Sequence, residues 1–169
     1  MNNASLEQWL QRLETLHPSA VELGLERVSE VANRLQLLPV AQPVVTVAGT
    51  NGKGSTAQIT TKLLMAHGLR VGTYSSPHLD RINDRICING EPISDEEFGF
   101  QVGAISDLEI ISGVRPSFFE IMTAAMFRWF ADSAVDVAVV EVGMLGRWDA
   151  TNVINSDVAV ITNIALDHM

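Results

Sequence analysis

Apolar positions recur at helical spacing near the start of the chain and as short unbroken runs further on, with polar and glycine-rich stretches between them. Leu6, Trp9, Leu10, Leu13 and Leu16 share one helical face, and Ser5-Leu6-Glu7-Gln8 has the form of a capping box. His17 to Gly24 reads as a loop, and Val28, Val31, Ala32 and Leu35 mark a second helix before Pro39. Val44 to Ala48 is a β-branched strand. Ile59, Leu63 and Leu64 mark a helix that stops near His67-Gly68, where glycine suits a C-terminal cap. Arg70 to Tyr74 reads as a strand. Ser75-Ser76-Pro77-His78 must be a loop, because proline removes a donor and keeps the preceding residue out of helical backbone. Ile82 to Ile88 alternates and closes on Asn89-Gly90, which predicts a short strand or hairpin. Asp95-Glu96-Glu97 places acids at a helix start. Phe118 to Asp132 carries Ile121, Met122, Ala125, Phe127 and Trp129 in an apolar helix.

Val135 to Val142 and Val158 to Thr162 are further strands without clean alternation. Strands apolar on both faces and separated by helices predict a mostly parallel sheet covered on both sides, a three-layer α/β fold. In such sheets ligands collect at the carboxyl ends of strands, where Gly49, Ser75, Glu141 and Asn163 fall.

The run Val44 to Ser55 passes from a strand through Gly49-Thr50-Asn51-Gly52 to Lys53, where a helix should begin. Unpaired N–H groups at a helix start and the positive end of its dipole form an anion site where glycines let the backbone approach closely. A nucleotide phosphate is the expected anion. The strict Walker pattern fails, since Val47 stands where it needs glycine and Gly54 where it needs serine or threonine, with Ser55 one place late. The loop is thus a variant P-loop. Glu141, delivered by the apolar strand Val135 to Val142, suits the carboxylate that holds Mg²⁺ beside such phosphates, while Asp136 belongs to the far end of that strand.

Composition narrows the function classes. A net charge of −9 argues against nucleic acid, so any anionic substrate needs local cations, N–H groups or a metal. Cys87 is the only cysteine, which fits a reducing compartment. There is no basic, apolar leader at Met1 and no apolar run near the ~18 residues of a membrane span. A cytoplasmic protein without membrane or nucleic-acid partners is expected.

Asn51-Gly52-Lys53-Gly54-Ser55, Ser75-Ser76-Pro77-His78-Leu79, Phe119-Glu120, Glu141-Val142-Gly143, Asp149-Ala150-Thr151-Asn152 and Leu166-Asp167-His168 occur in this order. Their combination resembles the amino-terminal domain of folylpolyglutamate synthase/dihydrofolate synthase, a branch of the Mur ligase superfamily. The resemblance implies an ATP loop of Thr50, Asn51, Gly52, Lys53, Gly54 and Ser55, and a magnesium site of Ser76, Glu141 and His168. It implies a pterin site lined by Glu22, Leu23 and Gly24, by Ser117, Phe118, Phe119 and Glu120, and by Trp148, Asp149 and Ala150. Lys53, Glu141 and His168 would then carry catalysis.

The implied reaction is ATP- and Mg²⁺-dependent addition of L-glutamate to dihydropteroate or a reduced folate through an acyl phosphate, in an enzyme that is monomeric at full length. The family's Gly-Leu-Gly-Gly-Arg-Leu-Asp run reads Gly143-Met144-Leu145-Gly146-Arg147-Trp148-Asp149 here, with Leu145 where glycine would permit unusual dihedrals. Trp148 either stacks on a pterin or fills space. Family members continue well past His168 into a glutamate-ligase domain, so residues 1–169 are expected to be an incomplete ATP-binding domain with an exposed sheet edge. A non-catalytic nucleotide-binding remnant, and a different P-loop kinase or NTPase, are the alternatives.

Overall fold

The computed structural model describes residues 6–15, 24–37, 42–113, 115–144 and 146–166. Two amphipathic helices come first. α1 (Leu6–Thr15) buries Trp9 and Leu13, and α2 (Glu26–Arg34) buries Val28, Val31 and Ala32. Ser5 and Leu16 lie outside the described residues. Then follow β1 (Val44–Ala48), α3 (Lys53–Ala66), β2 (Val71–Tyr74), β3 (Ile86–Ile88), β4 (Glu91–Pro92), α4 (Asp95–Ser112), α5 (Phe118–Asp132), β5 (Val137–Glu141) and β6 (Val158–Ile161). They form one sheet in the order β4-β3-β2-β5-β1-β6. β2, β5, β1 and β6 run parallel, and β3 and β4 add an antiparallel margin.

The central strand β5 explains why its sequence does not alternate. Ala138 and Val140 pack into a cluster with Ile121, Met122 and Phe127 of α5 and with α4, while Val137 and Val139 pack on the other face with Ala57 of α3. Both faces are dry, so every position is apolar until Glu141. The three-layer α/β architecture expected from the sequence is the one observed.

One local expectation is corrected in part. The hairpin expected to close on Asn89-Gly90 is formed by β3 and β4, but residues 82–88 are a strand only in their second half, because Ile82–Arg85 winds into a short 3-10 helix. Asp84 drives this, since its carboxylate accepts the N–H groups of Asp80 (3.0 Å) and Arg81 (2.9 Å), a local bond that competes with pairing in a sheet. Those two N–H groups also hold the Asp84 carboxyl below the usual carboxylate range. α3 is the helix that Ile59, Leu63 and Leu64 mark, and it stops at His67 as expected. Ile59 and Leu63 face outward at 60% and 59% exposure, while Ala57 and Thr61 meet the sheet. Small residues on that face bring α3 close enough for the Thr61 and Thr73 hydroxyls to bond at 2.7 Å.

Register aligns the strand ends. Val47 lies opposite Glu141, Ala48 opposite Ile161, and Tyr74 opposite Val140, so the loops after β1, β2, β5 and β6 emerge together. Among the described residues no helix is long and apolar enough to cross a membrane.

Candidate active site

The turn after β1 is built by two glycines in backbone that side chains resist. Gly49 has φ 131° and Gly52 has φ 79°, and Gly52 is the N-cap of α3 without any side-chain cap. Thr56 N–H makes the first helical bond, to the Gly52 carbonyl at 3.0 Å. The N–H groups of Gly52, Lys53, Gly54 and Ser55 therefore have no partner among the described residues. With the helix dipole behind them they present the donors that suit an anion. The N–H groups of Thr50 and Asn51 are already used, by the carbonyl and the side-chain oxygen of Asn163. The Lys53 ammonium folds back to the Thr50 carbonyl at 3.3 Å, which keeps it at the turn.

Glu141 ends β5 directly beside this turn. Only 4% of the residue is exposed, and its one hydrogen bond among the described residues comes from Ser76 N–H to Oε2 at 3.1 Å. Burial pushes its carboxyl above the usual range, against the pull of the Ser76 N–H and the Lys53 charge. A Cβ on Gly54 would stand 3.5 Å from Oε2, so the absence of a side chain there leaves the carboxylate facing the helix start.

Among the described residues no group of three His, Cys, Asp or Glu side chains converges as a metal cage. The single carboxylate of Glu141 still suits Mg²⁺, which is commonly held by one or two carboxylates plus substrate phosphates and keeps several waters. Ser76 stands next to Glu141 through its N–H; His168 lies outside the described residues. A cavity of about 320 Å³ opens here, lined by Thr50, Lys53, Gly143, Met144, Asn163 and Ile164 among others.

Of the residues expected at the pterin site, Phe119 and Asp149 meet at Gly143, and Ser117 and Glu120 stand at the start of α5. Ser117 and Glu120 form a capping box at the start of α5, with Glu120 Oε2 accepting Ser117 N–H at 2.6 Å and Arg27 Nε at 3.1 Å. Glu120 therefore ties α5 to α2, a role that the Ser-x-x-Glu spacing itself signals. Phe119 packs on Tyr74 with ring centroids 5.9 Å apart, and a Cβ on Gly143 would come within 2.5 Å of the Phe119 ring. Phe118 lies 5.3 Å from the Arg85 guanidinium, which also donates to His78 Nδ1 at 3.1 Å. Arg85 thus links the Ser-Pro-His loop to α5, a link between distant residues that no local pattern announces.

Asp149 is buried, and its oxygens accept Met144 N–H (2.8 Å), Thr151 N–H (3.0 Å) and the Thr151 hydroxyl (2.6 Å). Burial raises its carboxyl pKa, and these donors pull it back. Ala150 is buried beside it, whereas Trp148 is 48% exposed with the Arg147 guanidinium 5.3 Å from its ring. Gly24 sits just ahead of α2; Glu22 and Leu23 lie outside the described residues, as does Leu145.

Comparison with known proteins places this geometry in context. A family model described as Mur ligase middle domain matches residues 47–169. The dihydrofolate synthase/folylpolyglutamate synthase of Escherichia coli (strain K12) is 44% identical over 164 residues, covering 96% of this chain and 38% of the relative. The structure of E. coli FolC in complex with DHPP and ADP superimposes with a TM-score of 0.93 at 43% identity, covering 98% of this chain and 40% of that one. A bifunctional folylpolyglutamate synthase/dihydrofolate synthase with Mn, AMPPNP and L-glutamate bound gives a TM-score of 0.91 at 46% identity, with 99% and 40% coverage. The chain spans about two fifths of the length of these relatives.

Proposed function

We propose, for a chain that belongs to the Mur ligase middle-domain family, that it supplies the ATP- and metal-binding part of an amide ligase adding L-glutamate to dihydropteroate or a reduced folate. One observation carries this reading: four N–H groups at the start of α3, unpaired among the described residues, beside a buried carboxylate that makes no salt bridge among the described residues and feels the Lys53 charge only at a distance. Polyphosphate matches the first feature and a divalent cation the second. The relatives bound to ADP, AMPPNP, Mn, DHPP and L-glutamate point to the same ligands.

In this reading Gly52, Lys53, Gly54 and Ser55 cradle the phosphates through their N–H groups, with Thr50 and Asn51 shaping the turn. The Lys53 ammonium moves from the Thr50 carbonyl onto the transferring phosphoryl, neutralising charge as it develops. Glu141, with Ser76 and His168, would hold Mg²⁺, whose chemistry is to offset phosphate charge and orient the terminal phosphoryl. Burial of Glu141 strengthens its grip on a cation by weakening competition from water.

The folate carboxylate, activated as an acyl phosphate, is then attacked by the amine of L-glutamate, releasing phosphate. Phe118, Phe119 and Trp148 offer flat apolar surface for a pterin ring, with Gly24, Ser117 and Ala150 around it. Glu120 and Asp149 act here by holding α5 and the 143–149 loop in place, because Glu120 Oε2 and both Asp149 oxygens already accept hydrogen bonds. The resemblance adds Glu22 and Leu23, which lie outside the described residues, to the residues proposed for the pterin. Residues 1–169 form the ATP-binding domain, and the glutamate-ligase portion belongs to a longer polypeptide. That polypeptide works as a monomer in the cytoplasm, without membrane or nucleic-acid partners.

The test is steady-state turnover of a polypeptide extended to the full length of the relatives. ADP release that requires both L-glutamate and dihydropteroate or tetrahydrofolate supports the ligase. ATP hydrolysis indifferent to glutamate would instead favour a different P-loop enzyme, and binding without turnover a non-catalytic remnant.

A further inference from the structure

The first half of the glycine turn is gripped by the chain that leaves β6. Thr50 N–H donates to the Asn163 carbonyl at 2.9 Å, and Asn51 N–H donates to the Asn163 side-chain oxygen at 2.8 Å. The Thr162 hydroxyl donates to the Asn51 carbonyl at 2.7 Å, and Ala165 N–H donates to the Thr50 hydroxyl at 3.0 Å. Contact is so close that a Cβ on Gly49 would stand 2.1 Å from the Thr162 hydroxyl oxygen. The second half, Gly52 to Ser55, carries the N–H groups that are left unpaired.

A glycine-rich turn left to itself samples many backbone states, and ordering it on binding costs affinity. Here the ordering is done beforehand, by partners over 100 residues away in sequence. We propose that Thr162 and Asn163 are positioning residues for the phosphate-binding turn, fixing Thr50 and Asn51 so that Gly52 to Ser55 meet a polyphosphate in an already ordered array. The proposal rests on the nucleotide-site reading of this turn. It assigns Thr162 and Asn163 a role that acts through the backbone of Thr50 and Asn51, with Asn163 also lining the cavity beside the turn.

Calorimetric titration of this chain with AMPPNP and Mg²⁺ tests it, using a pair of substitutions at one position. Thr162→Val keeps the shape and removes the hydroxyl, and is expected to weaken binding about tenfold, the equivalent of one well-made hydrogen bond to the turn. Thr162→Ser keeps the hydroxyl and is expected to bind within about twofold of the parent chain. Asn163→Ala is expected to resemble Thr162→Val. Val28→Ala, a cavity in α2 remote from the turn, serves as the stability control and is expected to leave affinity unchanged.

Parent-like binding by Thr162→Val, failure of Thr162→Ser to restore it, or an equal loss in the Val28→Ala control would each overturn the positioning role while the parent chain still binds. A parent chain that takes up no nucleotide would overturn the nucleotide-site reading, and this proposal with it.

Discussion

Glu141 carries a charge that its surroundings penalise. Its carboxyl is pushed above the usual range chiefly by burial, so the folded state holds a proton more readily than the unfolded chain does. The resulting cost is absent below the ordinary glutamate pKa, grows as pH rises through the raised value, and persists above it. Glu141→Gln is therefore expected to raise the thermal midpoint at neutral pH, with the gain fading in acid, as read by melting curves across a pH series. Asp149 behaves in the opposite way on substitution although burial raises its pKa too. Its oxygens accept three donors, and an asparagine would turn an NH₂ group toward at least one of them. Asp149→Asn should cost about 1–3 kcal/mol, measured by chemical denaturation. Both acids stand out in the sequence, Glu141 because an apolar run ends on it and Asp149 because a family motif contains it. Only the structure separates an open carboxylate from one already satisfied, since the donors on Asp149 come from the geometry of its own loop.

The start of α3 is where an element has been shaped for something other than its own stability. Gly54 lies in the first turn of the helix with ordinary backbone, and a Cβ there would make van der Waals contact with Glu141 at 3.5 Å. Gly54→Ala should stabilise the chain by about 0.4–1 kcal/mol through the unfolded state. The same methyl group would sit against the face of Glu141 that a cation needs, so nucleotide affinity in Mg²⁺ should fall even as the melting temperature rises. A parallel rise in both would contradict the role given to this glycine. Elements of this kind were legible where a signal is local: the glycine turn, the apolar run of β5, and α5, whose observed span Phe118–Asp132 is the one the sequence indicates. Residues 82–85 were not, because the deciding bonds are made by the Asp84 side chain and are invisible to an alternation of apolar and polar positions. Ile59 and Leu63 do mark the helix α3, but the face that meets the sheet is made by Ala57 and Thr61, small residues that an apolar pattern does not single out.

In the sheet as a whole, the β6 margin is exposed and apolar. Among the described residues β6 pairs only with β1, and Val158 and Ile161 are 51% and 63% exposed. An exposed apolar edge strand is a template for pairing with another chain. Sedimentation velocity at high concentration is expected to show this chain self-associating, and Val158→Lys is expected to return it to a monomer. The parallel α/β architecture could be read from strands apolar on both faces, but the strand order could not, because β5 enters between β1 and β2 from a distant part of the chain. That insertion is what sets Glu141 beside the turn after β1. The most direct measurement is a calorimetric titration of the chain with AMPPNP, with and without Mg²⁺, repeated on Glu141→Gln. Binding at one site that Mg²⁺ tightens in the parent chain and leaves unchanged in Glu141→Gln is the expected result. Absence of binding, or an undiminished response to Mg²⁺ in the variant, would contradict the pairing of this turn with this carboxylate.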